Sequence, residues 1–215
     1  TEIIYEIFGN GIVTVLFRCR PYGRWPEKLP RIGVSIPLKK EMDNICWYGR
    51  GYNENYSDCK LASPMGLYQK KVSESYTIYD RPQETGNHEN TRFLKLTDCN
   101  NIGLTVIGLD EFSFSCHDFS LDNLTRATHK NKIVKSLKNH LYIDYKMRGL
   151  GSFACGPEPE EEFELRPHSF EFAFLIKGVT ENDEALDIAR KNFNIKSQAL
   201  TNEDYCAIEV RTRLL

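Results

Sequence analysis

Residues 169–177, SFEFAFLIK, place Phe170, Phe172, Phe174 and Ile176 at every second position. Large apolar side chains with a period of two are satisfied by extended backbone that buries one face and leaves the other to water. The same alternation recurs in IVTVLFRC, where Val13, Val15, Phe17 and Cys19 oppose Thr14, Arg18 and Arg20, and in RIGVSIPL, where Ile32, Val34, Ile36 and Leu38 point inward. IIYEIF and IVTVLFRC flank Gly9-Asn10-Gly11, and an Asn-Gly pair between β-branched runs supplies the positive φ angles of a tight hairpin. Helix signals are few. DFSLDNLTRATHKN, from Asp118, carries Ser120 as an N-cap, and TENDEALDIARKNF, from Thr180, opens on a Thr180/Asp183 capping box with Ala185, Ile188 and Phe193 as its apolar stripe. The expectation is an all-β, antiparallel, two-sheet chain with one or two short helices. Val13, Val15, Trp47, Phe170, Phe172 and Phe174 belong in or near its core.

At 215 residues such a chain fits one domain. Its 28 Lys and Arg nearly balance 30 Asp and Glu, so no strong field draws nucleic acid or an anionic membrane, and a neutral ligand or partner fits better. No apolar run approaches the roughly 20 residues of a membrane helix, and TEIIYEIFG lacks the flank and core of a signal peptide. Seven cysteines, an odd number without CxxC pairs, argue against a disulfide framework or structural zinc and point to a reducing cytoplasm. GPEPEEEFEL, from Gly156, reads as a solvated loop.

Five histidines form no HxxxH or HExxH pair, and Cys116-His117, as neighbours in a strand, point to opposite faces, so no metal site is expected. No GxSxG elbow, P-loop or dinucleotide fingerprint occurs; Gly149-Leu150-Gly151 lacks the third glycine and the helix. The densest stretch is WYGRGYNENYSD, residues 47–58. Gly49 and Gly51 bracket Arg50 as a sharp turn requires, and Glu54 is either a catalytic acid or a loop fastener bonded to backbone amides. One carboxylate without an identified partner does not make an acid and a base, which favours the fastener.

WYGRGYNENYSD resembles the W-x-G-x-G-P-x-E-N-Y-x-D-R stretch in the C-terminal domain of β-galactosidases of glycoside hydrolase family two, found in some bacteria as a separate small chain. Trp47, Gly49, Gly51, Glu54, Asn55, Tyr56 and Asp58 carry it, and further stretches follow in order: LPRIGVSI; GLYQKKVSESYTIYDRPQETGNHENTRFLKLTD with Glu84, Gly86, Asn87 and Arg92; LTRATHKNKI; and YIDYKMRGLGSFACGPE with Arg148. Tyr52, Cys59 and His88 depart from the pattern, standing where the family has proline, arginine and arginine. The resemblance covers residues 1–177, implies that the chain begins inside the family domain, and leaves 178–215 as an extension of unknown role.

This resemblance implies an antiparallel supersandwich like that of galactose mutarotase. It implies that the catalytic glutamates, and any Mg or Na ion, lie on a separate (β/α)8 barrel, domain or large chain, that is the partner of this one. It places Arg92 and Arg148 in or beside loops facing that barrel; as side chains they are either surface arginines with solvated heads or ordered partners of Glu54, Glu84 or Asp144. It also implies that RGLGSFACGPEP approaches the β-galactoside or free sugar in the leaving-group subsite. Gly151, Phe153 and Cys155 are the residues concerned, Cys155 standing where the best-known branch has a stacking tryptophan and Phe153 being its candidate surrogate. The alternative is a free-standing aldose 1-epimerase of the mutarotase type, with His88 or His117 as acid and Glu54 or Glu84 as base.

Overall fold

The computed structural model describes residues 1–151 and 156–183 and the backbone of 208–213. Ten strands occupy it: β1 (Glu2–Ile7), β2 (Ile12–Cys19), β3 (Arg31–Lys39), β4 (Asn44–Arg50), β5 (Met65–Lys71), β6 (His88–Thr97), β7 (Gly103–His117), β8 (Lys138–Met147), β9 (Phe170–Val179) and β10 (Ile208–Arg213). All paired neighbours are antiparallel, in the order β10-β1-β2-β9-β7-β6-β4-β5, with β8 and then β3 branching from β7. The chain is all-β, as its alternation predicts.

The opening hairpin is present, with one difference. Gly11 donates its N–H to Phe8 across the turn at 3.0 Å and alone takes the positive φ, +80°, while the Asn10 side chain accepts the Ile12 N–H at 3.1 Å. A single left-handed glycine after a tight turn closes a three-residue hairpin loop, so Asn10 serves as a hydrogen-bond acceptor. The expected helix after Asp118 is α1 (Leu121–Arg126), where Ser120 Oγ accepts the Asn123 N–H at 3.2 Å. The second expected helix lies outside the described residues, although the Asp183 carboxylate does accept the Thr180 N–H at 2.9 Å. Beyond it, β10 returns to the sheet edge beside β1.

The architecture turns on β7. Its first half, Gly103 to Gly108, pairs with β9, and its second half, Ser113 to His117, pairs with β8 on the same side. The strand must bend between them. A Cβ at Gly108 would lie 2.0 Å from the Asp110 carbonyl oxygen, so the bend accepts only glycine there. β6 slips register at the same level, between His88 and Phe93, with Asn90 at φ 51°. The two branches leaving β7 do not pair with each other among the described residues. Tyr145 of β8 instead stacks on Phe170 of β9 with centroids 4.6 Å apart.

One apolar core joins the branches. Val15, Phe17, Trp47, Leu94, Phe114, Leu141, Ile143, Phe172 and Phe174 are all buried in it, with Val13, Val34, Ile36, Phe170 and Ile176 partly buried against it. The alternating residues thus face the interior as expected. A smaller cluster of Ile12, Phe93, Ile107, Leu175 and Val179 occupies the opposite face.

Candidate functional site

On β7 and β8 the residues alternating with the core are polar: Ser113, Ser115 and His117 face Asp144, Tyr142 and His140 across the pair. This polar face is closed by the chain's own loops. The Thr85 carbonyl accepts from His117 Nε2 at 2.9 Å, Ser113 donates to Glu89 at 2.8 Å, and Ser75 Oγ donates to the Cys116 carbonyl at 2.8 Å.

Arg31, at the start of β3, enters the face from the side. It donates from Nε to Asp144 Oδ1 at 3.1 Å and from Nη2 to Asp144 Oδ2, lies 4.9 Å above the Tyr142 ring, and reaches within 3.7 Å of Glu84. A Cβ at Gly33 would overlap Asp144 Oδ1, so a glycine in β3 makes room for the carboxylate. One guanidinium therefore serves two carboxylates. Burial raises Glu84 to about 7 and Asp144 to about 6, in each case against the pull of Arg31.

Residues 47–58 organise the loops. Trp47 is fully buried and donates its indole N–H to the Arg50 carbonyl at 3.0 Å. The expected sharp turn at Gly49 and Gly51 is absent, because β4 runs on through Arg50. The glycines serve close packing instead: a Cβ at Gly49 would lie 2.7 Å from Thr91 Oγ1, and one at Gly51 would lie 2.6 Å from the Tyr68 ring. Glu54 accepts from the Tyr79 hydroxyl, from Thr85 Oγ1 at 2.7 Å and from the Gly86 N–H. Asn55 donates its N–H to the Asn87 carbonyl at 2.8 Å, Asn87 Nδ2 donates back to the Asn55 carbonyl at 2.9 Å, and Asn55 Oδ1 accepts the Glu89 N–H at 2.8 Å. These are fastenings between two loops. Tyr56 is buried beside them, its hydroxyl held protonated by burial and by Glu84.

Asp58 carries the fastening further by accepting the Gly151 N–H, and its carboxylate packs against Gly149. Arg148 donates its N–H to the Pro30 carbonyl at 3.0 Å and its guanidinium to Glu164 at 2.6 and 2.8 Å and to Glu158 at 3.2 Å. Arg148 first, then Lys28, hold Glu164 down to about 2. Both ends of the RGLG stretch are therefore rooted. Phe153 and Cys155 lie outside the described residues.

Of the two alternatives for Arg92 and Arg148, the pairing with Glu54, Glu84 or Asp144 does not form. Arg148 pairs as above, and Arg92, with a side chain 52% exposed, meets Glu111 at 3.2 Å. Arg31 takes the buried carboxylates. The signal for it was Asp144, a charge inside the apolar strand YIDYKM that has to find a cation. Arg92→Ala should lower stability by less than about 0.5 kcal/mol in urea unfolding, since exposed pairs contribute little; a loss well above 1 kcal/mol would contradict this assignment.

The epimerase residues are not arranged for acid and base work. His88 is fully buried between Trp47 and Phe114, 4.5 and 5.1 Å away, and burial lowers it to about 3; burial likewise lowers His117 to about 4. Both are neutral and closed off at physiological pH, and Glu54 is saturated with donors. Among the described residues no group of His, Cys, Asp and Glu could hold a metal ion, and no helix is long and apolar enough to cross a membrane. A cleft of about 820 Å³ opens where the two branches diverge, bounded by Glu89, Phe112, Tyr145, Phe163 and His168.

The geometry defines an antiparallel β-domain whose polar face is sealed by its own loops and whose fastened loops hold a glycine-rich stretch at its border. The chain belongs to the beta galactosidase small chain family, which it matches over residues 1–176. It is 33% identical over 178 residues to a beta-galactosidase of Staphylococcus xylosus, covering 82% of this chain and 18% of that one. It is 32% identical over 173 residues to a beta-galactosidase of Kluyveromyces lactis, covering 79% and 16%, and 31% identical over 173 residues to one of Actinobacillus pleuropneumoniae, covering 80% and 17%. The chain thus spans less than a fifth of the length of these relatives.

Proposed function

We propose that this chain is the part of a β-galactosidase that completes the active-site cleft and the assembly without supplying the catalytic carboxylates. Its partner is the catalytic barrel, as a domain or a large chain, and its ligand is the β-galactoside or a free sugar in the leaving-group subsite. The supporting observation is the state of Glu54. Three donors hold it, and retaining cleavage needs two free carboxyl groups about 5 Å apart on either side of a glycosidic bond. The second support is the rooting of Gly149 and Gly151 on Asp58, which fixes the base of this glycine-rich stretch at the sheet border.

In this reading Asp58, Glu54, Asn55 and Asn87 are positioning residues, and the protein works in the cytoplasm in a mutarotase-like supersandwich. The chain by itself should turn over no chromogenic β-galactoside. In the assembled enzyme Glu54→Gln should leave kcat within a few-fold and lower the melting temperature, whereas Asp58→Ala should weaken glucose as an acceptor several-fold with galactose inhibition unchanged. Turnover by the isolated chain that vanishes on Glu54→Gln would overturn the proposal.

A further inference from the structure

Two large aromatic side chains stand in solvent on the turn between β2 and β3: Tyr22 is 96% exposed and Trp25 47% exposed. None of the fastenings above uses them. The turn is nonetheless closely specified. Pro21 and Pro26 flank it, Gly23 adopts φ +81°, and the Trp25 indole N–H donates to the Tyr22 carbonyl at 3.0 Å. Its base is tied down by Lys28 on Glu164 at 2.8 Å, by Arg166 on Glu27 at 2.7 Å, and by the Leu29 N–H on the Leu165 carbonyl at 2.8 Å.

Because its indole N–H is already bonded within the turn, Trp25 loses less in ordering than a free side chain when a partner covers it. Tyr and Trp flanked by arginine, here Arg20 and Arg24, are the side chains that concentrate binding energy in protein interfaces. Neither arginine lies within ion-pair distance of a carboxylate among the described residues. The partner surface should supply that negative charge.

We propose that residues 21–26 are a docking element, inserted into an acid-rimmed apolar recess on the larger remainder of a β-galactosidase. This rests on the function proposed above. Two observations select that occupant. The chain spans less than a fifth of its relatives, so a much larger body has to be met somewhere on its surface. The ties through Lys28, Leu29 and Pro30 also join the turn to Arg148 and to residues 158–166, so it lies on the same border as the loop rooted at Gly151.

Trypsin provides the test, because it cuts after Arg24 but not after Arg20, which precedes Pro21. Cleavage at Arg24 should be rapid in the free chain and slowed at least about tenfold in the assembled enzyme. Tyr22→Ala with Trp25→Ala should weaken the association of the chain with the remainder by at least about tenfold, while the circular dichroism and melting of the chain alone stay as they were. Equal cleavage in both states, or equal affinity of the double variant, would overturn the proposal. So would intact assembly with weakened binding of glucose, which would assign the turn to the ligand. If the unaltered chain does not associate with the remainder at all, the parent function fails and this inference with it; a failure confined to the variants leaves the parent standing.

Discussion

Arg31→Ala should destabilise this domain by about 3–5 kcal/mol, because it leaves a buried carboxylate without its cation. The Asp144 side chain is 2% exposed, and Arg31 supplies two charge-assisted hydrogen bonds to it. Glu84 loses its nearest cation in the same step. Adding Asp144→Asn to the variant should recover much of the loss, since a neutral amide costs less to bury than a charge. Urea unfolding of the four members of that cycle is the measurement, and a single-variant loss below about 1 kcal/mol would refute the assignment. The pH dependence has a definite sign. Both carboxyls sit above their ordinary values of 4.5 and 3.8, so their contribution is fully present below those values and is lost as pH rises through about 6 for Asp144 and about 7 for Glu84. Stability should therefore decline from about pH 4 to about pH 7 and level off above that, and Glu84→Gln should flatten the upper part of that decline.

Trp47→Ala should cost about 3–5 kcal/mol, the range for emptying a large aromatic site in a core. The indole is fully buried, its centroid 4.5 Å from that of His88, 5.3 Å from Tyr68 and 5.7 Å from Phe114, so three rings would border the cavity. The Arg50 carbonyl would also lose the indole N–H that it accepts. Trp47→Phe separates the two effects: it refills most of the volume and leaves the carbonyl unpaired, for a smaller loss of about 1–3 kcal/mol. If Phe and Ala prove equally costly, packing is not what Trp47 contributes.

What the amino-acid order revealed, and what it hid, follows from the range of the interactions. Alternation and turn chemistry are local, so the first hairpin, the inward faces of β2 and β9 and the Ser120 cap could all be read from neighbouring residues. Glu54 as a fastener was legible because it sits in a glycine- and asparagine-rich stretch that identifies no partner carboxylate for acid and base work. The partners of the arginines were not legible. Arg31, Arg92 and Arg148 are alike as residue types, and only the folding of β3 beside β8 decides that Arg31 meets Asp144 while Arg92 is left in water against Glu111. The glycines of residues 47–58 misled for a related reason. Local statistics associate glycine with turns, whereas here contact with Thr91 and Tyr68 from other strands dictates it. The fork of β7 was hidden as well, since the bend at Gly108 has a purpose only when β8 and β9 are both present.

The pairing of β2 with β9 also sets a timetable for the ribosome. Arg18 and Glu171 lie side by side in the sheet, yet 153 positions of sequence separate them. At ordinary synthesis rates that interval lasts roughly 8–30 s, far longer than a hairpin needs to form. Throughout it the nascent β1–β2 hairpin offers Val13, Val15 and Phe17 and an open row of backbone donors and acceptors to whatever is nearby, and the opposite edge of β1 waits longer still for β10. Emerging chains should accordingly engage a holdase until β9 is out, and pausing translation between residues 20 and 170 should raise the insoluble yield more than a pause after residue 180.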